Sequence, residues 1–107
     1  MDSLLKHDRI NQLLSHYKGL LTDKQQRILE YYYEDDYSLQ EIAEILSISR
    51  NAVHDHLKKA QEKMEEYDAV LRLTTLSIDR NQWLEALEQT PLTDTQKQIL
   101  EHLKKVI

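Results

Sequence analysis

Three pairs constrain this chain more than any other feature: Thr22 with Gln25, Ser38 with Glu41, and Thr93 with Gln96. In such a capping box the hydroxyl accepts from the backbone N–H three residues on, and the longer side chain accepts from the cap's own N–H. Two donors that a helix start leaves open are thereby satisfied, so each pair predicts a helix beginning there. Glycine and proline each occur once in 107 residues, which leaves almost no material for the tight turns of a sheet. The chain is therefore read as all-α, and its length suits one domain around one core.

Helix one is expected over residues 3–18, where Leu5, Ile10, Leu13, Leu14 and Tyr17 recur near a 3.6-residue period and Gly19 is suited to ending the helix. Helix two follows from Thr22 and carries Ile28, Leu29, Tyr32 and Tyr33. The acidic residues Glu34, Asp35 and Asp36 then read as a solvated turn, because they lack the ligand spacing and glycine of a calcium loop. Helix three runs from Leu39 to Leu46, with Ile42, Ala43, Ile45 and Leu46 as its apolar positions. After Ser47 and Ile48, Ser49 caps helix four, whose Val53, Leu57, Ala60, Met64, Tyr67 and Leu71 are spaced four, three, four, three, four. Little more than two heptads are present, so this seam is expected to lie across helices one and two rather than to form a coiled coil.

Toward the end, Trp83, Leu84 and Leu87 form one apolar stripe and Ile99, Leu100 and Leu103 another, with Pro91 and the Thr93 cap fixing the break between them. Each short helix must bury its stripe somewhere. Segments 21–30 and 92–101 match closely; a duplicated helix-turn-helix entry would call for a second recognition helix, which does not follow, so the match reads either as convergent capping or as two helices that offer similar surfaces. The expected organisation is a helix-turn-helix domain over 1–78 and a helical extension over 79–107, within the same compact unit.

Residues 38–57 have the order of a helix-turn-helix. Ile42, Leu46, Ile48, Val53 and Leu57 supply the inner faces, and Ala43 is small enough to let two helices approach. Ser47 stands in the turn where glycine often supplies a left-handed conformation, which serine adopts only at steric cost unless the turn has another shape. With Val53 and Leu57 inward, Arg50, Asn51, His54 and Asp55 point outward from the recognition helix. Arg50 suits a bidentate contact to guanine, Asn51 one to adenine, and Lys58 or Lys59 a phosphate. Ser49, Arg50, Asn51, His54, Lys58 and Lys59 are thus the candidate nucleic-acid-binding residues.

Charge works against tight DNA binding by a lone copy. The chain carries a formal −5, and residues 22–66 hold six Lys or Arg against eleven Asp or Glu. Only locally, over residues 49–61, do three basic residues outnumber one acid. Catalysis has little support: there is no Gly-rich phosphate loop, no cysteine nucleophile and no convincing serine triad. His54 and His56 lie two apart and point to different helix faces, so they do not make a metal pair, and no cofactor is expected. The absence of cysteine is compatible with a reducing compartment, and residues 1–6 lack the pattern of a signal peptide. The apolar runs are too short for membrane insertion, and cytoplasmic residence is expected.

Leu21-Thr-Asp-Lys-Gln, the Tyr32-Tyr33 pair and Lys58-Lys59-Ala60 around the motif resemble sigma factor region 4. Together with Asp35-Asp-Tyr-Ser-Leu, Glu41-Ile-Ala-Glu, Ser49-Arg, Ala52-Val and Glu65-Glu-Tyr they are similar to the YlxM family of signal recognition particle accessory proteins. The resemblance covers residues 20–71 best. That family's recognition helix often shows Tyr-Asp-Asn-Ile-Lys-Arg, where His54-Asp-His-Leu-Lys-Lys stands here. The resemblance implies a sigma-region-4-like fold with a three-helical, winged-helix-like core, an N-terminal helix and a helical C-terminal extension. It also implies a place beside the signal recognition particle, whose components are an RNA and GTPases. The candidate partners are duplex DNA, the particle protein, its receptor or its RNA, and a second copy forming a homodimer. Two function classes remain open: a sequence-specific DNA-binding regulator, and an adaptor that uses the fold on protein or RNA.

Overall fold

In the computed structural model, residues 2–107 are described, with side chains from His7 onward. The apolar position expected at Leu5 lies outside the described side chains. Six α-helices follow one another: α1 (Asp2–Tyr17), α2 (Asp23–Leu29), α3 (Leu39–Leu46), α4 (Arg50–Leu71), α5 (Leu73–Glu88) and α6 (Asp94–Val106). A 3-10 turn, Lys18–Leu20, follows α1, and a π-helical turn, Glu30–Glu34, prolongs α2. Among the described residues there is no strand, so the helical core carries no β wing.

All three capping boxes form as the spacing requires. Thr22, Ser38 and Thr93 each accept from the backbone N–H three residues on, and Gln25, Glu41 and Gln96 each accept from the cap's N–H. Gly19 does not end α1 as expected. It has no positive φ, and the chain leaves α1 through the 3-10 turn, closed by the Leu21 N–H donating to the Lys18 carbonyl at 3.1 Å. Among the described residues the left-handed positions are Asp36, Ser47 and Arg72, none of them glycine.

By its internal contacts the chain divides into Met1–Thr74 and Thr75–Ile107, the division falling inside α5. In the first unit α4 packs against α1, α2 and α3. Ile10, Leu13, Tyr17, Ile28, Leu29, Ile42, Val53 and Met64 are among the buried residues of one core, with Leu46, Ile48 and Tyr67 packed on it. The α4 seam thus lies across α1 and α2 within one chain. It departs from expectation at its end: Leu71 is 47% exposed, and the buried position after Met64 is Asp68 at 7%. A helix advances 3.6 rather than 3.5 residues per turn, so a heptad-spaced row drifts off the buried face.

Asp68 tolerates burial because three residues of α1 and α5 donate to it. Tyr17 Oη lies 2.7 Å and Thr74 Oγ1 2.6 Å from its carboxylate, the Thr74 backbone N–H donates at 3.2 Å, and Arg9 Nη2 stands at 3.0 Å. The Arg9 guanidinium also forks onto Glu65, at 3.0 and 2.7 Å. Burial alone pushes the Asp68 carboxyl up, but the bonds from Thr74, Tyr17 and Arg9 outweigh it and hold the group well below the usual carboxylate range. The Tyr17 hydroxyl, raised by burial and by its bond to Asp68, accepts from the Leu73 N–H at 3.1 Å. The open donors at the start of α5 are therefore satisfied by side chains of α1 and α4 rather than by a local cap.

In the second unit, the chain leaves α5 through Gln89 and Thr90, whose N–H groups bond back to the last turn, and Pro91 prevents the helix from continuing. Lys104 of α6 pairs with Glu88 of α5 and, at 3.6 Å, with Glu101. Leu100 is buried there, whereas Trp83 is 71% and Ile99 62% exposed. Among the described residues no helix is long and apolar enough to cross a membrane.

Candidate nucleic-acid interface

The turn between α3 and α4 sets the site. Ser47 adopts φ 56°, ψ 43°, its N–H donates to the Glu44 carbonyl, and the Ile48 N–H donates to the Ala43 carbonyl at 3.1 Å. That pairing closes α3 as a Schellman motif, with the partly buried Ile48 packed onto the core beyond the left-handed residue. Serine thus takes the strained conformation that glycine would adopt freely, at a cost of about 1–2 kcal/mol. Ser49 then opens α4, its Oγ accepting from the Ala52 N–H at 3.0 Å. No acidic residue stands in the first turn of α4, so the positive end of its dipole is left uncompensated.

The inner side of α4 is fixed by Val53, Leu57, Ala60 and Met64. Ser49, Arg50, Asn51, His54, Asp55, Lys58 and Lys59 are exposed, while His56 is half-buried. Arg50 and Lys58 make no ion pair among the described residues. Lys59 does: its Nζ lies 3.0 Å from Asp55, one turn back, and that bond lowers the Asp55 carboxyl from its ordinary value. Lys58 has no such partner, and because the Lys59–Asp55 pair is exposed on both sides, either lysine remains available to a phosphate.

Sequence reasoning missed the surroundings of His54 and Lys58. Both line a cleft of about 440 Å³ with Tyr32, Tyr33, Leu39, Leu57 and Gln61. The π turn brings the tyrosines there, Tyr32 and Tyr33 meeting edge to face with ring centroids 4.9 Å apart. Gln61 donates to the Tyr33 hydroxyl, whose pKa is raised first by burial. The tyrosine run was visible in the sequence, but a π turn has no capping signature and the cleft needs α2 set against α4. Among the described residues no group of three His, Asp or Glu stands ready to hold a metal ion.

A left-handed turn between two capped helices, the second carrying its polar residues on the side opposite the core, defines an all-α helix-turn-helix protein. A family model described as "Putative helix-turn-helix protein, YlxM / p13 like" matches residues 4–106. The chain belongs to that family. It is 47% identical to the UPF0122 protein YofM of Lactococcus lactis over 89 residues, 83% of this chain and 80% of the relative. A UPF0122 protein of Oceanobacillus iheyensis is 41% identical over 101 residues, and one of Streptococcus pneumoniae 40% over 102, each match covering 94% of this chain and 93% of the relative.

Proposed function

We propose that this protein is a DNA-binding regulator that reads the major groove with the first turns of α4. The observation that carries the reading is the exposure of Arg50, Asn51, His54 and Lys58 on a helix whose other side is locked into the core. Arg50 and Asn51 have the donor geometry for guanine and adenine edges, and Lys58 that for a phosphate. The similarity of residues 20–71 to sigma factor region 4 supports the same placement. The binding unit is acidic, so affinity is low and rests on a small basic patch, with a salt dependence set by the few phosphates that patch neutralises.

The test is selection from a random duplex pool, followed by fluorescence anisotropy at graded salt. Arg50→Ala weakens the selected site by about 1–3 kcal/mol and relaxes one base position, whereas Lys58→Ala weakens all sequences evenly and reduces the salt slope by about one. A folded Arg50→Ala protein with unchanged affinity and specificity removes the proposal.

The acidic balance favours a second reading, in which the fold serves as an adaptor to a protein or RNA of the signal recognition particle. Binding of particle RNA, particle protein or receptor in the same assay, with no sequence enriched from the duplex pool, decides for it.

A further inference from the structure

The cleft beside His54 and Lys58 lies within the first unit, and the contacts proposed to DNA use only these two of its residues. Its apolar lining comes from Leu39, Leu57 and the rings of Tyr32 and Tyr33, its polar lining from His54, Lys58 and Gln61. No Asp or Glu lines it, although the chain has 19 of them. Lys58, unlike Lys59, has no carboxylate partner among the described residues. An anion entering the cleft therefore meets a cation and no fixed negative charge on the walls, inside a unit that is otherwise acidic. Tyr33 is held by its neighbours: its ring meets Tyr32 at 4.9 Å and His7 at 5.0 Å, and Gln61 donates to its hydroxyl. Since that oxygen accepts, its own proton remains free to donate.

The lining narrows the chemistry of an occupant. At about 440 Å³ the cleft falls in the range of about 300–1,000 Å³ usual for small-ligand sites. A hydrocarbon would leave Lys58, His54, Gln61 and the Tyr33 hydroxyl without partners, which costs free energy wherever water is displaced. A bare inorganic anion would satisfy Lys58 and leave the tyrosine rings and leucines against water. A metal ion finds no carboxylate in the lining, and the described residues hold no metal-binding group of three. What uses the whole lining is a planar ring with hydrogen-bonding edges, joined to an anion. Tyrosine faces hold such rings by stacking, Gln61 and His54 offer donors and acceptors to the edges, and Lys58 takes the charge. A nucleobase carried with its phosphate has all of these parts.

We infer that this cleft binds a nucleoside phosphate, supplied either as a free nucleotide or as one unit of a single strand. The inference shares His54 and Lys58 with the DNA reading but does not depend on it, since binding is measured without duplex.

Titration of the isotope-labelled full chain, followed by amide NMR shifts, tests it with the common nucleoside 5′-monophosphates, their nucleosides, inorganic phosphate and a short single strand. Expected are shifts centred on Tyr32, Tyr33, His54, Lys58 and Gln61 with at least one monophosphate, whose nucleoside binds about tenfold more weakly for want of one charge-assisted bond. Lys58→Gln weakens the monophosphate by about the same factor and abolishes its advantage over the nucleoside. Tyr32→Leu, which keeps apolar bulk but removes the ring, weakens nucleotide and nucleoside alike by about tenfold. Lys59→Gln, outside the cleft, changes neither, and circular dichroism verifies that each variant is folded; Lys58→Gln, at an exposed residue, decides should Tyr32→Leu unfold. A single strand that binds more tightly than the monophosphate makes the ligand a unit of a strand, and equal or weaker binding makes it the free nucleotide. Inorganic phosphate binding as well as every monophosphate, an adventitious ion only, overturns the inference. So does the absence of shifts at millimolar nucleotide, an unchanged affinity in Lys58→Gln, or a loss that Lys59→Gln reproduces.

Discussion

Replacing Asp68 by asparagine keeps the side chain's shape and removes its charge, which isolates what the carboxylate does at the junction of α1, α4 and α5. In the native chain the two oxygens accept from Tyr17 Oη, Thr74 Oγ1, the Thr74 N–H and Arg9 Nη2, all within 3.2 Å. Asparagine retains one oxygen, and its NH2 group faces donors in place of the other. Two donors lose their acceptor, and a buried donor without one costs about 1–3 kcal/mol. Arg9 recovers part of this, because its side chain is 39% exposed and keeps its fork on Glu65. The expected loss for Asp68→Asn is therefore about 2–4 kcal/mol at neutral pH, read by urea unfolding with far-UV circular dichroism. The native carboxyl is held below its unfolded value, so its contribution is complete above the ordinary carboxylate range and fades as pH falls toward the depressed native pKa. The variant lacks this titration, and the gap between the two proteins narrows on acidification. A loss under about 1 kcal/mol, or a gap that stays constant into strong acid, would refute the assignment of the network.

Ile42→Ala and Val53→Ala each remove a side chain with no exposed surface from the helix-turn-helix core, and each is expected to cost about 1–4 kcal/mol in urea unfolding; no loss in either contradicts their packing. Ser47→Gly relieves the left-handed serine and is expected to raise stability by up to about 1 kcal/mol, seen as a higher midpoint; a lower midpoint shows that the turn is not strained.

The helix starts were legible because capping is local: Thr22, Ser38, Ser49 and Thr93 each satisfy a donor only three residues away. The inner row of the helix-turn-helix was legible for a related reason, since Ile42, Val53 and Leu57 follow the helical period. What escaped depends on distant partners. Asp68 reads as a surface acid until Arg9 and Tyr17, more than fifty residues earlier, are brought against it. The π turn at Glu30–Glu34 escaped because nothing in three adjacent tyrosines marks a wider turn, and with it went the cleft beside His54 and Lys58. Lys59 looked equivalent to Lys58 in sequence, yet it sits one turn after Asp55 and pairs with it at the surface. The residues proposed to meet DNA were identified by facing away from the core formed by Val53, Leu57, Ala60 and Met64.

One helix, α4, is both a wall of the core and the bearer of the proposed reading surface, and this has a dynamic consequence. Val53, Leu57, Ala60 and Met64 are fixed by packing along its length, so the backbone beneath Arg50, Asn51 and His54 is ordered before any ligand arrives. Opening that backbone means opening the core, which ties the mobility of the surface to unfolding of the first unit rather than to fraying of a loop. A partner meeting this face encounters side chains that still turn on a backbone that does not, and docking then entails little loss of main-chain freedom.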